Sequence, residues 1–169
     1  MMTKDIKFSR EDAELFLIAE AEMLDELRLE EWNSLFTPDG IYWIPIDENM
    51  SPDETVSIVF DNALRREERV FHLLHTRFPA QSPRSRTLHT ISSIRVYPED
   101  NQCVRVLSHQ VIYEVRTGDY RQLGLGDMQI IVAKVEHQLD LSRGAPLIAK
   151  KTISLLNRDM PLGNLTFLI

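Results

Sequence analysis

Residues 16–45 read FLIAEAEMLDELRLEEWNSLFTPDGIYWIP, and this stretch decides how the rest of the chain is read. Apolar residues recur at Phe16, Ala19, Met23 and Leu27, with Leu17 and Leu24 widening the stripe, a spacing that buries one face of a helix. Glu20, Glu22, Asp25, Glu26 and Arg28 read as its polar flank. Upstream, Ser9 with Glu11 and Asp12 after it is an N-cap followed by acids where the helix dipole favours negative charge. Downstream, Thr37-Pro38-Asp39-Gly40 has turn composition, with glycine free to take positive φ. Ile41-Tyr42-Trp43-Ile44, closed by Pro45, has strand composition.

Working outward, residues 55–60 form a short strand-like run, and Asp61 or Asn62 caps a second helix, ALRREERVFHLL, whose apolar side holds Ala63, Val70, Phe71 and Leu74. Residues 76–87, TRFPAQSPRSRT, combine two prolines, two serines and three arginines and read as an ordered or functional loop. The chain then turns to β. Residues 88–97 form one strand, and residues 103–116 form the next, with Cys103, Leu107, Val111, Tyr113 and Val115 sharing a face; a hairpin joins the two. Residues 117–127, with three of the six glycines, form a longer loop, followed by a long strand over 128–141 with Ile131, Ala133 and Val135 on one side and a last strand over 147–157. The apolar ending Leu165–Ile169 must fold into the chain's own sheet or be buried on a neighbour.

Helices followed by long hairpin-connected strands predict one α+β domain over 1–169. Its helices lie mainly at 10–35 and 62–75, its sheet mainly at 41–60 and 88–157, and its tail at 158–169. A curved mixed or antiparallel sheet wrapped around the N-terminal helices gives a cone with an interior pocket, the shape of nuclear transport factor 2-like folds. Those folds host enzymes and non-catalytic modules alike.

Charge and composition remove several classes of function. With 19 lysines and arginines against 26 acids the net charge is −7 and the basic residues are scattered, so nucleic acid and anionic membrane are not expected partners. No apolar run approaches the ~18 residues of a membrane span and the first residues lack a signal-peptide core, so a cytoplasmic protein is expected. The single cysteine, Cys103, reads as a small buried thiol in a strand. Phosphate-binding glycine loops, a nucleophile elbow and Cys-x-x-Cys pairs are all missing from the sequence.

What chemistry remains is sparse. His72 and His75 are three apart on the second helix, a spacing compatible with metal ligands, but no carboxylate completes a set and no metal is predicted. His89 and His109 lie in strands, and His109 alternates with Leu107 and Val111, a face read as turned into the cone. If the cone holds a catalytic site, these two with Asp39 or Tyr42 are its acid–base candidates, as in a stand-alone dehydratase or isomerase; a third reading is a small-molecule binding module without chemistry. Arg77, Arg84, Ser85 and Arg86 form a basic knot in an acidic chain, read either as a solvated loop or as a docking loop pairing with carboxylates across a subunit boundary.

Three segments carry a resemblance: residues 16–45, Phe78-Pro79-Ala80-Gln81-Ser82-Pro83-Arg84-Ser85-Arg86-Thr87-Leu88-His89, and Ala149-Lys150-Lys151-Thr152-Ile153. Together they resemble the small (β) subunit of bacterial aromatic-ring-hydroxylating dioxygenases. The family's W-x-x-L-F, acidic residue and Y-W-x-P match Trp32, Leu35, Phe36, Asp39, Tyr42, Trp43 and Pro45, and its P-x-S-R matches Pro83, Ser85 and Arg86. The resemblance implies a non-catalytic structural subunit without cofactors of its own. It also implies a hexamer of three large and three small subunits, hence a homotrimer of this chain, with the Rieske iron–sulfur cluster and mononuclear iron in the large (α) partner that dihydroxylates aromatic rings for their catabolism. Tyr42, Trp43, Arg77, Arg84, Ser85, Arg86 and Phe167 are then candidates for subunit contacts. Lys151 and Asn157 depart from the arginine and aspartate usual in the family, which puts an ion pair at those positions in question.

Overall fold

Ser9 and Asp12 open the first helix by a reciprocal capping box: the Asp12 amide donates to Ser9 Oγ at 3.1 Å and the Ser9 amide to Asp12 Oδ2 at 2.7 Å. Such a cap stabilises a helix by ~1 kcal/mol. The computed structural model describes residues 8–47, 49, 51–77, 81–100, 102–116, 126–160 and 165–169. Within them lie α1 (Arg10–Asp25), α2 (Leu29–Ser34), β1 (Phe36–Pro45), β2 (Ser57–Asp61), α3 (Ala63–His75), β3 (Arg86–Pro98), β4 (Cys103–Val115), β5 (Met128–Asp140) and β6 (Leu147–Leu155).

The single helix expected over 10–35 is two. Leu27 sits in the left-handed region at φ 57°, and the Arg28 amide closes back on the Met23 carbonyl at 2.8 Å, a Schellman-type ending built without the usual glycine. The buried face of α1 is also rotated from the expected stripe. It comprises Ala13, Leu17, Glu20, Ala21 and Leu24, so Glu20 leaves the polar flank for the interior while Ala19 and Leu27 are only half-buried.

Six strands form one curved mixed sheet in the order β2-β1-β6-β5-β4-β3, antiparallel except for the parallel β1–β6 pair. Thr37-Pro38-Asp39-Gly40 is no turn. β1 runs straight through it, and the extra residues appear as a register shift against β6 between Phe36 and Ile41. Gly40 is required there by close packing and not by φ, because a Cβ would stand 2.7 Å from the Ile148 carbonyl oxygen. On β4 the expected face is reversed: Val104, Val106, Ser108, Gln110, Ile112 and Glu114 point inward, and the Cys103–Val115 series faces out. Alternation gives the period but not the side, since both faces of this strand carry valines.

On the inner side Leu17, Leu24, Trp32, Tyr42, Ile112, Ile148, Ile153 and Leu155 make the core. Trp32 meets Phe36 and Tyr42 edge-on, with ring centroids 5.0 and 5.6 Å away. α3 starts at Asn62, whose Oδ1 accepts from the Arg65 amide. Its buried residues are Arg66 and Val70, whereas Phe71, expected inside, is exposed. Leu168 and Ile169 return to the chain's own core, where the Ile169 amide donates to Tyr42 Oη at 3.1 Å, but they add no strand. The glycine loop falls mostly on residues 117–125 and Phe78-Pro79-Ala80 on 78–80, both outside the described residues.

Candidate functional site

The conspicuous polar chemistry of the interior is a cluster that joins α1 to two strands. Lys151 Nζ and Trp32 Nε1 both donate to Glu20 Oε1, at 2.8 and 3.1 Å, and His137 Nε2 stands 2.8 Å from Glu20 Oε2. Glu20 is 2 % exposed, Lys151 1 % and His137 0 %. Burial drives the Glu20 carboxyl upward, but the ammonium of Lys151, then His137, overcome it and hold Glu20 far below the usual carboxylate range. β5 and β6 pair in a register that sets His137 opposite Lys151, so the two partners reach one carboxylate from adjacent strands. Phe16 packs edge-on against the His137 ring, and among the described residues His137 Nδ1 has no hydrogen-bond partner. Lys151 does form an ion pair, but its acid is Glu20 of α1 and not position 157, where the uncharged Asn157 stands.

A second carboxylate fastens the end of the same helix to β3. Asp25 Oδ1 accepts from Thr87 Oγ1 at 2.7 Å and lies 2.6 Å from His89 Nδ1, while Oδ2 accepts the His89 backbone amide at 3.0 Å. Partial burial raises the Asp25 carboxyl, and the hydrogen bonds from His89 and Thr87 outweigh it, leaving the group below its ordinary value. The pair has the form of an acid–base dyad, yet His89 Nε2 is buried and unpartnered, so no substrate reaches it as placed.

The four fallback catalytic residues do not converge. His89 faces α1, whereas His109 lines a groove of about 550 Å³ on the opposite face of the sheet. Tyr42 is buried against Ile169, where burial pushes its hydroxyl well above the ordinary phenol range, and Asp39 is exposed, accepting from Thr37 Oγ1. The expected interior pocket is occupied by the core and by the Glu20 cluster. A groove of about 770 Å³ lies outside it, between α3 and the final segment, lined by Asp61, Arg65, Glu68, Arg69, His72 and Phe167 among others. His72 and His75 pack against Phe71, with Glu30 3.6 Å from His75; among the described residues no group of three or more His, Cys, Asp or Glu is placed to hold a metal.

The contact candidates divide by burial. Tyr42 and Trp43 are inside this chain, Trp43 donating from Nε1 to Ser57 Oγ at 2.8 Å under the Lys150 ammonium. Ser85 is buried too, hydrogen-bonded to Glu114 and Gln81. Arg84 donates to the Leu74 carbonyl at the end of α3, where a cation suits the helix dipole. Arg77, Arg84 and Arg86 are exposed and Phe167 is half-buried. Arg66 was missed by sequence: it is buried, donates to Asn33 and to the Gly40 carbonyl, and stacks 4.0 Å over Phe36.

A mixed sheet with helices on its inner face defines the class. Solved structures agree, among them an NTF2-like protein with a cystatin-like fold from Novosphingobium aromaticivorans, at TM-score 0.60 and 14% identity, covering 88% of this chain and 82% of that one. The β subunit of benzoate 1,2-dioxygenase from Burkholderia mallei superposes better, at TM-score 0.74 and 23% identity over 99% of this chain and all of that one. Residues 19–161 match the ring hydroxylating beta subunit family, and the chain belongs to that family. Its relatives include the small oxygenase component of the p-cumate 2,3-dioxygenase system of Pseudomonas putida, 35% identical over 66% of this chain and 63% of that protein. The β subunit of toluate 1,2-dioxygenase from the same organism is 30% identical over 62% of this chain and 70% of its own length. The match thus spans less than two thirds of the p-cumate component.

Proposed function

We propose that this chain is the non-catalytic small subunit of an aromatic-ring-hydroxylating dioxygenase, one that supports an iron-containing large subunit. The observation that carries the reading is the family match over residues 19–161, joined to the interior carboxylates Glu20 and Asp25, whose His and Lys partners are spent on holding α1 to the sheet. The Rieske cluster, the mononuclear iron and the dihydroxylation step then belong to the partner. The relatives named for p-cumate, toluate and benzoate make an aromatic carboxylate the substrate class of the assembled enzyme. The assembly is three large and three small subunits, with this chain as a homotrimer, and Arg77, Arg84, Arg86 and Phe167 remain contact candidates because they are at least partly accessible. No helix is long and apolar enough to cross a membrane among the described residues. The lyase reading has less support, since His89 and His109 lie on opposite faces of the sheet.

Co-expression with a large subunit followed by mass analysis tests the reading. A mixed hexamer is expected; a chain that stays alone, and on which dioxygenase turnover does not depend, overturns it.

A further inference from the structure

The outer face of the sheet is divided by strand register into two zones. At one end Leu88, Tyr113 and Ile130 stand in one cross-strand row, with Val115 and Met128 in the row beside it. This zone is open, Ile130 being 59 % exposed. At the other end, around the 550 Å³ groove, lie His109 and Lys134 in one row, Arg95 in the next and Lys150 beyond. Among the described residues Arg95 and Lys134 have no carboxylate partner, and Glu136, the acid lining the groove, is engaged by Arg105 and Gln138. Three cations and an imidazole, with Lys150 over the Trp43 ring and the one lining acid, Glu136, already engaged by Arg105, leave an excess of positive charge in a chain of net charge −7 that suits an external anion.

The complementary surface is on the same molecule, facing the other way. Glu11, Leu15, Ile18 and Glu22 are spaced four, three and four apart on α1 and so form one stripe, with Glu14 beside it. This stripe is exposed, Leu15 by 63 %, and Glu11, Glu14 and Glu22 make no ion pair among the described residues. From Glu11 to Glu22 a helix advances ~16 Å at ~1.5 Å per residue. Same-face rows of a sheet repeat about every 7 Å, so the stretch from the Ile130 row to the Arg95 row is ~20 Å. The α1 stripe, apolar in the middle with acids at both ends, is thus similar in length to a sheet surface that is apolar at one end and basic at the other.

We propose that the outer sheet face receives the exposed Glu11–Glu22 stripe of α1 from a second copy of this chain. Because the two surfaces lie on opposite sides of the sheet, the contact is head-to-tail, and it closes only as a ring. The inference rests on the small-subunit reading and says which faces meet in its trimer.

Charge exchange tests it. The isolated chain, Lys134→Glu, Glu14→Lys/Glu22→Lys, and the variant with all three changes are compared by sedimentation, with circular dichroism checking that each is folded. Each reversal alone is expected to weaken self-association at least tenfold, and the triple variant, whose charges are opposite again, to recover it. Reversals without effect, or a triple variant no better than its parents, overturn the proposal. So does loss of large-subunit capture with self-association intact, which assigns the groove to the large subunit and leaves the small-subunit reading standing. A wild-type chain that neither self-associates nor captures a large subunit overturns both.

Discussion

The two faces of the sheet treat charge in opposite ways. On the inner face Glu20, His137 and Lys151 are buried and bonded to one another, and Asp25 is bonded to His89 and Thr87. On the outer face Lys134 and Arg95 stand in a groove with no acid bound to them among the described residues. A buried charge must be paired or its desolvation penalty unfolds the region, whereas a charge in an open groove keeps its water until something displaces it. Inner charges therefore fix α1 in place, and the outer charges of the groove are the ones proposed above to meet another copy of the chain.

The largest expected effect breaks the inner face. Lys151→Met leaves the Glu20 carboxylate buried without its ammonium and is expected to lower unfolding free energy by ~3–5 kcal/mol, read by urea denaturation. Adding Glu20→Gln should recover part of that loss, since the double change removes the stranded charge as well; a double variant as unstable as the sum of the singles contradicts the pairing.

Acid attacks the same face from another direction. Glu20 and Asp25 both have carboxyls held below their ordinary values in the folded chain. Their contribution is therefore complete above the unfolded carboxylate pKa of about 4 and is lost as pH falls toward the folded values. Urea midpoints should fall steadily from pH 5 to about pH 3, and less steeply in Glu20→Gln. Equal slopes would show that Glu20 is not held in this way.

Gly40→Ala is a smaller and purely steric test. The new Cβ would meet the Ile148 backbone oxygen at 2.7 Å, so the β1–β6 pair must shift, at ~1–3 kcal/mol. The smallest effect sharpens the comparison from the other side. Lys134→Met in the isolated monomer should change stability by no more than about 0.5 kcal/mol, because no partner is left stranded; a loss near that of Lys151→Met would mean that the two faces do not differ.

Much of the scaffold was legible in the sequence. Ser9 and Asn62 are caps whose side chains bond the amides their spacing anticipates, and Ile131, Ala133 and Val135 share one side as read, which proves to be the inner one. The buried cluster was not legible, although part of its signal was present. His137 shares the parity of Val135, but a charged Glu20 beside an apolar stripe reads as solvated flank unless its partners, 117 and 131 residues away, are known to lie beneath it. Helix breaking at Leu27 escaped notice because no glycine or proline marks it, and Thr37–Gly40 looked like a turn because a strand that passes through a bulge uses the same residues. The inward side of β4 depends on what packs against it, which alternation alone does not record.

The central claim is that this chain contributes a surface to a dioxygenase and not a reaction of its own. Purified large subunit, assayed for dihydroxylation of an aromatic carboxylate alone, with this chain, and with His89→Asn or His109→Ala versions of it, tests that most directly. Turnover that requires the chain for assembly and is unchanged per assembled complex by His109→Ala, and by His89→Asn wherever that variant still assembles, is the predicted result. Turnover per complex that collapses with either histidine while the hexamer stays intact would contradict it.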